Sequence, residues 1–247
     1  MVKEKSKFKK SLLALPILIF LMCGSAFAQV SVYAQGAYTD SDLKVYIYAD
    51  VSSEPIISFG VKLTYDTTEV SINEDEVANC LQRNDDVWYF GDPNGTTYKT
   101  QNAGPVVTVD NTTGSRSVVF VGGKLDSTET TQTGVEVGDR ILLGIVTFSR
   151  VDTGVVPTVS LSLGKDGGYE NFVELDGGLL DSAATITGSV EIHERGDANG
   201  DGDINVSDLT KLKEIMFGQS PKTCYADCND DGDVNVSDIT CMKPLMF

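Results

Sequence analysis

The residues of this 247-residue chain best placed to do chemistry stand in two twelve-residue segments near its end. Asp197-Ala-Asn-Gly-Asp-Gly-Asp-Ile-Asn-Val-Ser-Asp208 and Asp227-Cys-Asn-Asp-Asp-Gly-Asp-Val-Asn-Val-Ser-Asp238 lie 30 residues apart and agree at nine of twelve positions. A repeat so regular marks duplicated structure. Positions 1, 3, 5 and 12 carry side-chain oxygens in both: Asp197, Asn199, Asp201 and Asp208, then Asp227, Asn229, Asp231 and Asp238. Gly202 and Gly232 occupy position 6, where the chain must turn sharply. Asp203 and Asp233 at position 7 offer a backbone carbonyl, and Asn205 and Asn235 at position 9 an oxygen acting through water. Alternate oxygens converging from a tight loop suit a hard cation of calcium's size, so the spacing predicts two bound Ca2+ ions. Magnesium's small octahedral shell suits so many oxygens less well.

Each loop needs an element behind it. Asn205 and Asn235 are N-cap residues, and Asp208 and Asp238 three positions on favour the positive end of a helix. Leu209, Leu212 and Met216 then form an i, i+3, i+7 stripe, echoed by Ile239, Met242 and Met246. Two features separate these units from an EF-hand. Position 12 is aspartate, one methylene shorter than glutamate, so the helix must approach the ion more closely. The entering helix is also missing: Ile192 reads as strand, and Gln219-Ser220-Pro221 breaks the chain before the second loop. Pro244 stands where the first repeat has Glu214, so the second helix is expected to bend or end near Lys243. The bland alternative, a disordered acidic tail, does not account for glycines and apolar stripes in register.

Two loop–helix units without entering helices resemble the dockerin family, over about residues 196–247. The resemblance implies a small all-α module that folds on calcium and binds a cohesin-bearing protein through its helices. Recognition would centre on loop positions 10 and 11, here Val206-Ser207 and Val236-Ser237. These are identical in the two halves, so the same surface could be presented in two orientations related by a half-turn.

From Val30 to about Ile192 the pattern has period two. Leu43, Val45, Ile47 and Ala49 alternate with more polar neighbours, as do Phe59, Val61, Leu63 and Tyr65. Further β-rich runs are Val106–Val109, Ser117–Val121, Ile141–Phe148, Val159–Leu163 and Ala184–Ile192, separated by Gly, Pro, Asn and Asp clusters. Short strands so punctuated predict a mostly β chain with an antiparallel β-sandwich. Gly60-Val-Lys-Leu-Thr-Tyr-Asp66 and Gly138–Phe148 resemble strands of the cohesin family, which implies a surface for a dockerin-bearing protein on one sheet face. A carbohydrate-binding module shares this architecture but needs a flat aromatic platform. The one tryptophan, Trp88, beside Tyr89 and Phe90, reads as packing instead.

Lys3, Lys5, Lys7, Lys9 and Lys10, the apolar run Ser11–Met22 and Ala26-Phe27-Ala28 read as an export signal over residues 1–28. The run is short for a membrane anchor, and Met22 before Cys23 argues against lipidation there. The expected organisation is thus signal 1–28, cohesin-like sandwich 29–192 and dockerin 193–247, in a secreted or cell-surface protein. The signal's five lysines and one glutamate carry a net +4, so the mature charge is −21 against −17 for the whole chain. That field repels nucleic acid and anionic lipid and favours divalent cations. With 41% hydrophobic residues the chain still has enough to build cores.

Catalysis finds little support. The one histidine, His193, reads as a solvated linker residue, and no G-x-S-x-G, phosphate loop or dinucleotide fingerprint occurs. Among Cys80, Cys224, Cys228 and Cys241 an exported chain permits a disulfide, and zinc lacks a nearby histidine. Of four N-glycosylation matches, at Asn94, Asn111, Asn205 and Asn235, two fall inside the loops. The sequence therefore predicts a non-catalytic adaptor in a cellulosome-like or related polysaccharide-associated assembly. The other reading is a carbohydrate-binding module carried by its dockerin.

Overall fold

Alternating side chains build two sheets. The structure, a computed structural model, describes residues 30–52, 54–72, 81–83, 106–109, 115–123, 137–164, 171–178 and 184–246. The export segment 1–28, Cys80, the cluster at Trp88 and the acceptor sites at Asn94 and Asn111 lie outside the described residues. The strands are β1 (Val30–Tyr38), β2 (Asp42–Val51), β3 (Ile56–Asp66), β4 (Val70–Ser71), β5 (Leu81–Arg83) and β6 (Val106–Val109). They continue with β7 (Ser115–Gly123), β8 (Gly138–Arg150), β9 (Val159–Leu163), β10 (Val173–Glu174), β11 (Ala184–Ile186) and β12 (Glu191–Glu194).

One sheet runs β11–β1–β2–β8–β4, with β12 also on β1 and β5 also on β8; the other runs β10–β3–β7–β6, with β9 also on β3. The predicted inward residues face the space between them. Leu43, Val45, Ile47 and Ala49 of β2 and Phe59, Val61, Leu63 and Tyr65 of β3 are buried, together with Leu143, Val146, Phe148 and Phe172. Each large apolar side chain so buried contributes about 1.5–3 kcal/mol. The sandwich is antiparallel throughout except at one edge, where β11 and β12 both run parallel to β1.

The apolar run expected over Ala184–Ile192 divides there. Between β11 and β12 the chain leans to the other sheet, where Gly188 accepts from the Leu161 amide at 2.8 Å and Ser189 bridges Ser160. Opposite β12, Gly36 leaves room for Ile192; a Cβ on Gly36 would lie 2.8 Å from Ile192 Cγ1.

Two helices follow, α1 (Val206–Met216) and α2 (Val236–Met242), with 3-10 turns at Cys224–Ala226 and Lys243–Leu245. Leu212, Ile215 and Met242 form a second core with Ala198, Ala226 and Cys228, flanked by Leu209, Met216, Ile239 and Met246. The α-helical part of the second unit ends at Met242, just before the proline-bearing turn. Cys228 and Cys241 are disulfide-bonded with Cα atoms 5.8 Å apart, and Cys224 is a buried thiol.

Between the two cores lies a third cluster. Ala37 of β1 and Tyr46 of β2 pack against Cys224 and Tyr225 of the 3-10 turn. The C-terminal module thus rests on the outer face of the seven-stranded sheet. Among the described residues no helix is long and apolar enough to cross a membrane.

Candidate functional site

In both loops the position 1 and position 12 carboxylates are drawn inside by backbone amides. Asp197 Oδ1 accepts from the amides of Gly200 at 2.8 Å and Asp201 at 3.1 Å, and Oδ2 from Gly202 at 2.9 Å. Asp208 accepts from Asn199 at 3.0 Å and from Asn205 at 2.8 Å. The Asn205 side chain in turn takes the Ser207 amide, completing a capping box on α1. The second loop repeats the pattern: Asp227 takes Asp231 and Gly232, Asp238 takes Asn229 and Asn235, and Asn235 caps α2. Asn199 and Asn229 donate to Asp201 and Asp231 at 2.8 and 2.7 Å, and the Asp203 and Asp233 amides close on the same two carboxylates. All twelve predicted donor residues therefore lie within two matched loops.

Their electrostatics differ by depth. Asp197, Asp208, Asp227 and Asp238 are buried. Burial pushes the Asp208 and Asp227 carboxyls up, an effect that amide donors from Asn205 and Asn199, and from Gly232 and Asp231, partly offset. Asp201 and Asp231 are exposed and held below the usual carboxylate range, chiefly by the Asn199 and Asn229 side chains. Among the described residues no Lys or Arg stands within ion-pair distance of Asp208, Asp227 or Asp238.

Buried carboxylates without a cationic partner are costly. An oxygen-only set with that deficit fits a hard divalent cation. The carboxylates are turned onto loop amides, and among the described residues no three acidic, His or Cys side chains converge closely enough to grip an ion as they stand.

Position 4 is where the loops part. Gly200 has φ 73°, and a Cβ there would lie 3.1 Å from the His193 ring. His193 is not the solvated linker residue expected from sequence. Its ring packs 4.6 Å from that of Tyr225, and Nδ1 lies 3.4 Å from Asp197 Oδ2. At the same position of the second loop Asp230, at φ 59°, binds Lys44 and receives the Tyr46 hydroxyl at 2.9 Å. Sequence reasoning missed Asp230 as a contact residue. The Gly/Asp difference between repeats was the one available signal, and its partners lie 184 and 186 positions away.

Of the four residues expected at a partner surface, Val206 and Val236 are 67% and 63% exposed, large values for valine. Ser207 is exposed and Ser237 partly so, and each hydroxyl accepts from an asparagine side chain at 2.7 Å. The serines therefore brace the loops as well as flank the valines. Phe217, at the end of α1, is 75% exposed.

Residues 195–246 match the family model described as the dockerin type I domain. No curated protein matches the chain. Several solved structures are similar at low identity. The sixth cohesin from scaffoldin B of Acetivibrio cellulolyticus, solved with a Cel5 dockerin mutant, is 17% identical, with 67% of this chain and 98% of that one covered at a TM-score of 0.39. CaCohA2 from Clostridium acetobutylicum is 12% identical, with 70% and 95% covered at 0.41. The Coh-OlpA–Doc918 complex, a type I cohesin–dockerin complex from Clostridium thermocellum, is 12% identical, with 66% and 99% covered at 0.40.

Proposed function

We propose that this chain is an exported, non-catalytic adaptor that joins two proteins through calcium-dependent docking. Its C-terminal module would hold two Ca2+ ions, one through Asp197, Asn199, Asp201, Asp203, Asn205 and Asp208, the other through Asp227, Asn229, Asp231, Asp233, Asn235 and Asp238. Each ion would supply positive charge to carboxylates that the fold has taken out of water. The loops so fixed present Val206, Ser207, Val236 and Ser237, with the helices behind them, to a cohesin-bearing protein. The observation that carries this reading is the matched pair of capped loop–helix units within residues 195–246, the stretch that the dockerin model matches.

The sandwich, on this reading, is the second docking module and takes a dockerin-bearing protein on a sheet face. Gly60–Asp66 lies in β3 and Gly138–Phe148 in β8, one strand in each sheet. The outer face of the seven-stranded sheet carries the chain's own C-terminal module over β1 and β2, so on this reading the five-stranded sheet is the platform. The lysines, apolar run and Ala26-Phe27-Ala28 of the N-terminal segment support export, and the dockerin match supports a place in an assembly outside the cell.

The test is capture on immobilised full-length mature chain, with cohesin-bearing proteins, dockerin-bearing proteins and insoluble polysaccharides offered separately. Capture of a cohesin protein in calcium, lost in chelator and lost on Val206→Asp with Val236→Asp, is the expected result. Retention by polysaccharide with no protein captured would transfer the case to a carbohydrate-binding module.

A further inference from the structure

Asp230 occupies a position where a side chain is a burden. Glycine adopts positive φ freely and an L residue does so reluctantly, yet the second loop keeps an aspartate there at φ 59°. Position 4 is not one of the cation-donor positions. The Asp230 carboxylate turns instead to the sandwich, binding the Lys44 ammonium and the Tyr46 hydroxyl, with Arg195 Nη1 at 3.6 Å. Lys44 and Tyr46 stand on the outer face of β2, between the core-facing Leu43, Val45 and Ile47. The Lys44, Asp230 and Arg195 side chains are about a fifth exposed or less. Beside them Cys224 and Tyr225 pack on Ala37 and Tyr46, and the Gly196 amide donates to the Tyr225 carbonyl at 2.8 Å. These contacts exist only while the second loop holds this shape and sits on this sheet.

We propose that Lys44 and Tyr46 are positioning residues for the second loop. By holding Asp230 they fix the backbone of that loop on the sheet, so that only its carboxylates need turn toward an ion, and cation binding there and docking of the module on the sandwich strengthen each other. The inference rests on the calcium reading of the loops. Coupling of this kind is reciprocal: whatever factor docking adds to cation affinity, the cation adds to docking. The first loop, with Gly200 at position 4, has no such tie to β2.

Calcium titration of the full chain tests it, with the first loop weakened by Asp208→Asn so that its heat separates from that of the second. Tyr46→Phe removes a hydroxyl and no charge, and is expected to weaken the second site about fivefold or more. Lys44→Met separates positioning from simple electrostatics. Deleting a cation beside an acidic loop should tighten calcium binding by Coulomb's law, whereas loss of the positioning contact weakens it. Lys44→Arg, which can still pair with Asp230, is expected to stay near the parent affinity. Scattering should report one compact arrangement of the parent chain in calcium, and a broader one in chelator or in either weakening variant. Tighter binding in Lys44→Met, or unchanged binding in Tyr46→Phe, overturns the positioning role and leaves the calcium reading intact. A parent chain that binds no calcium overturns both.

Discussion

Asp208 takes two backbone amides, those of Asn199 and Asn205, on a carboxylate that water does not reach. In a metal-free loop its negative charge is a liability, since Asp197 and Asp201 raise its pKa further through like-charge repulsion. On the calcium reading the same charge would become a ligand. Asp208→Asn keeps nearly the same shape but removes the charge and replaces one of the two accepting oxygens with a donor. The expected outcome is calcium affinity at the first loop lower by about tenfold or more, because affinity in such loops follows ligand charge. The second loop should keep its own affinity, and calorimetry of the full chain resolves the two. Loss of both sites together would mean that the loops do not bind independently. The two capped loop–helix units that carry these positions were legible in the sequence, since type, spacing and repetition all agreed. His193 was not, because a lone histidine beside a boundary carries no pattern that foretells a tilted ring contact with Tyr225.

The two loop–helix elements share a design and differ in length, eleven residues in α1 against seven in α2. Pro244 explains the shorter one, and its effect was readable because proline lacks the donor a helix interior needs. Which cysteines pair was not readable, since three lie within eighteen positions and only the fold shows that Cys228 and Cys241 meet. That bond ties the front of the second loop to the end of α2. Closing a loop of this size is worth about 2–3 kcal/mol. Cys241→Ser is therefore expected to speed amide exchange through residues 236–246 while leaving 206–217 nearly unchanged. Equal protection of the two helices in the variant would remove the stapling role. Among strands, alternation revealed which side chains of β2 and β3 face inward, because burial on one face enforces period two. It could not reveal direction, so the parallel placement of β11 and β12 on β1 came only from the structure.

At the scale of the whole molecule the contact between module and sheet is rich in phenols. Burial pushes Tyr48 from its ordinary value near 10 up to about 12, the strongest of several influences there, with the Arg140 guanidinium opposing it. Burial raises Tyr46 and Tyr225 as well, reinforced by Asp230 and Glu191 respectively. Below pH 10 folded and unfolded chains hold these protons alike, and stability is unaffected. Above it the unfolded chain releases protons that the folded chain retains, so stability falls as pH rises from about 10 to about 12. Tyrosinate absorbance should lag behind that of free tyrosine over this range, then rise together with loss of the compact scattering profile. Ionisation at the ordinary value with the profile intact would show that these phenols are open to water.

The passage from sandwich to module also has a mechanical side. Glu191–Glu194 is hydrogen-bonded along Gln35–Tyr38, and Asp197 follows within a few residues. If the chain joins two proteins as proposed, it is under tension whenever they drift apart, and the short passage from β12 to Asp197 offers little slack. A pull directed along β12 loads its bonds to β1 together, in shear. A pull away from the sheet peels them one by one. How firmly the two partners stay joined under flow would then depend on the angle at which the module leaves the sheet, not only on how tightly either end binds.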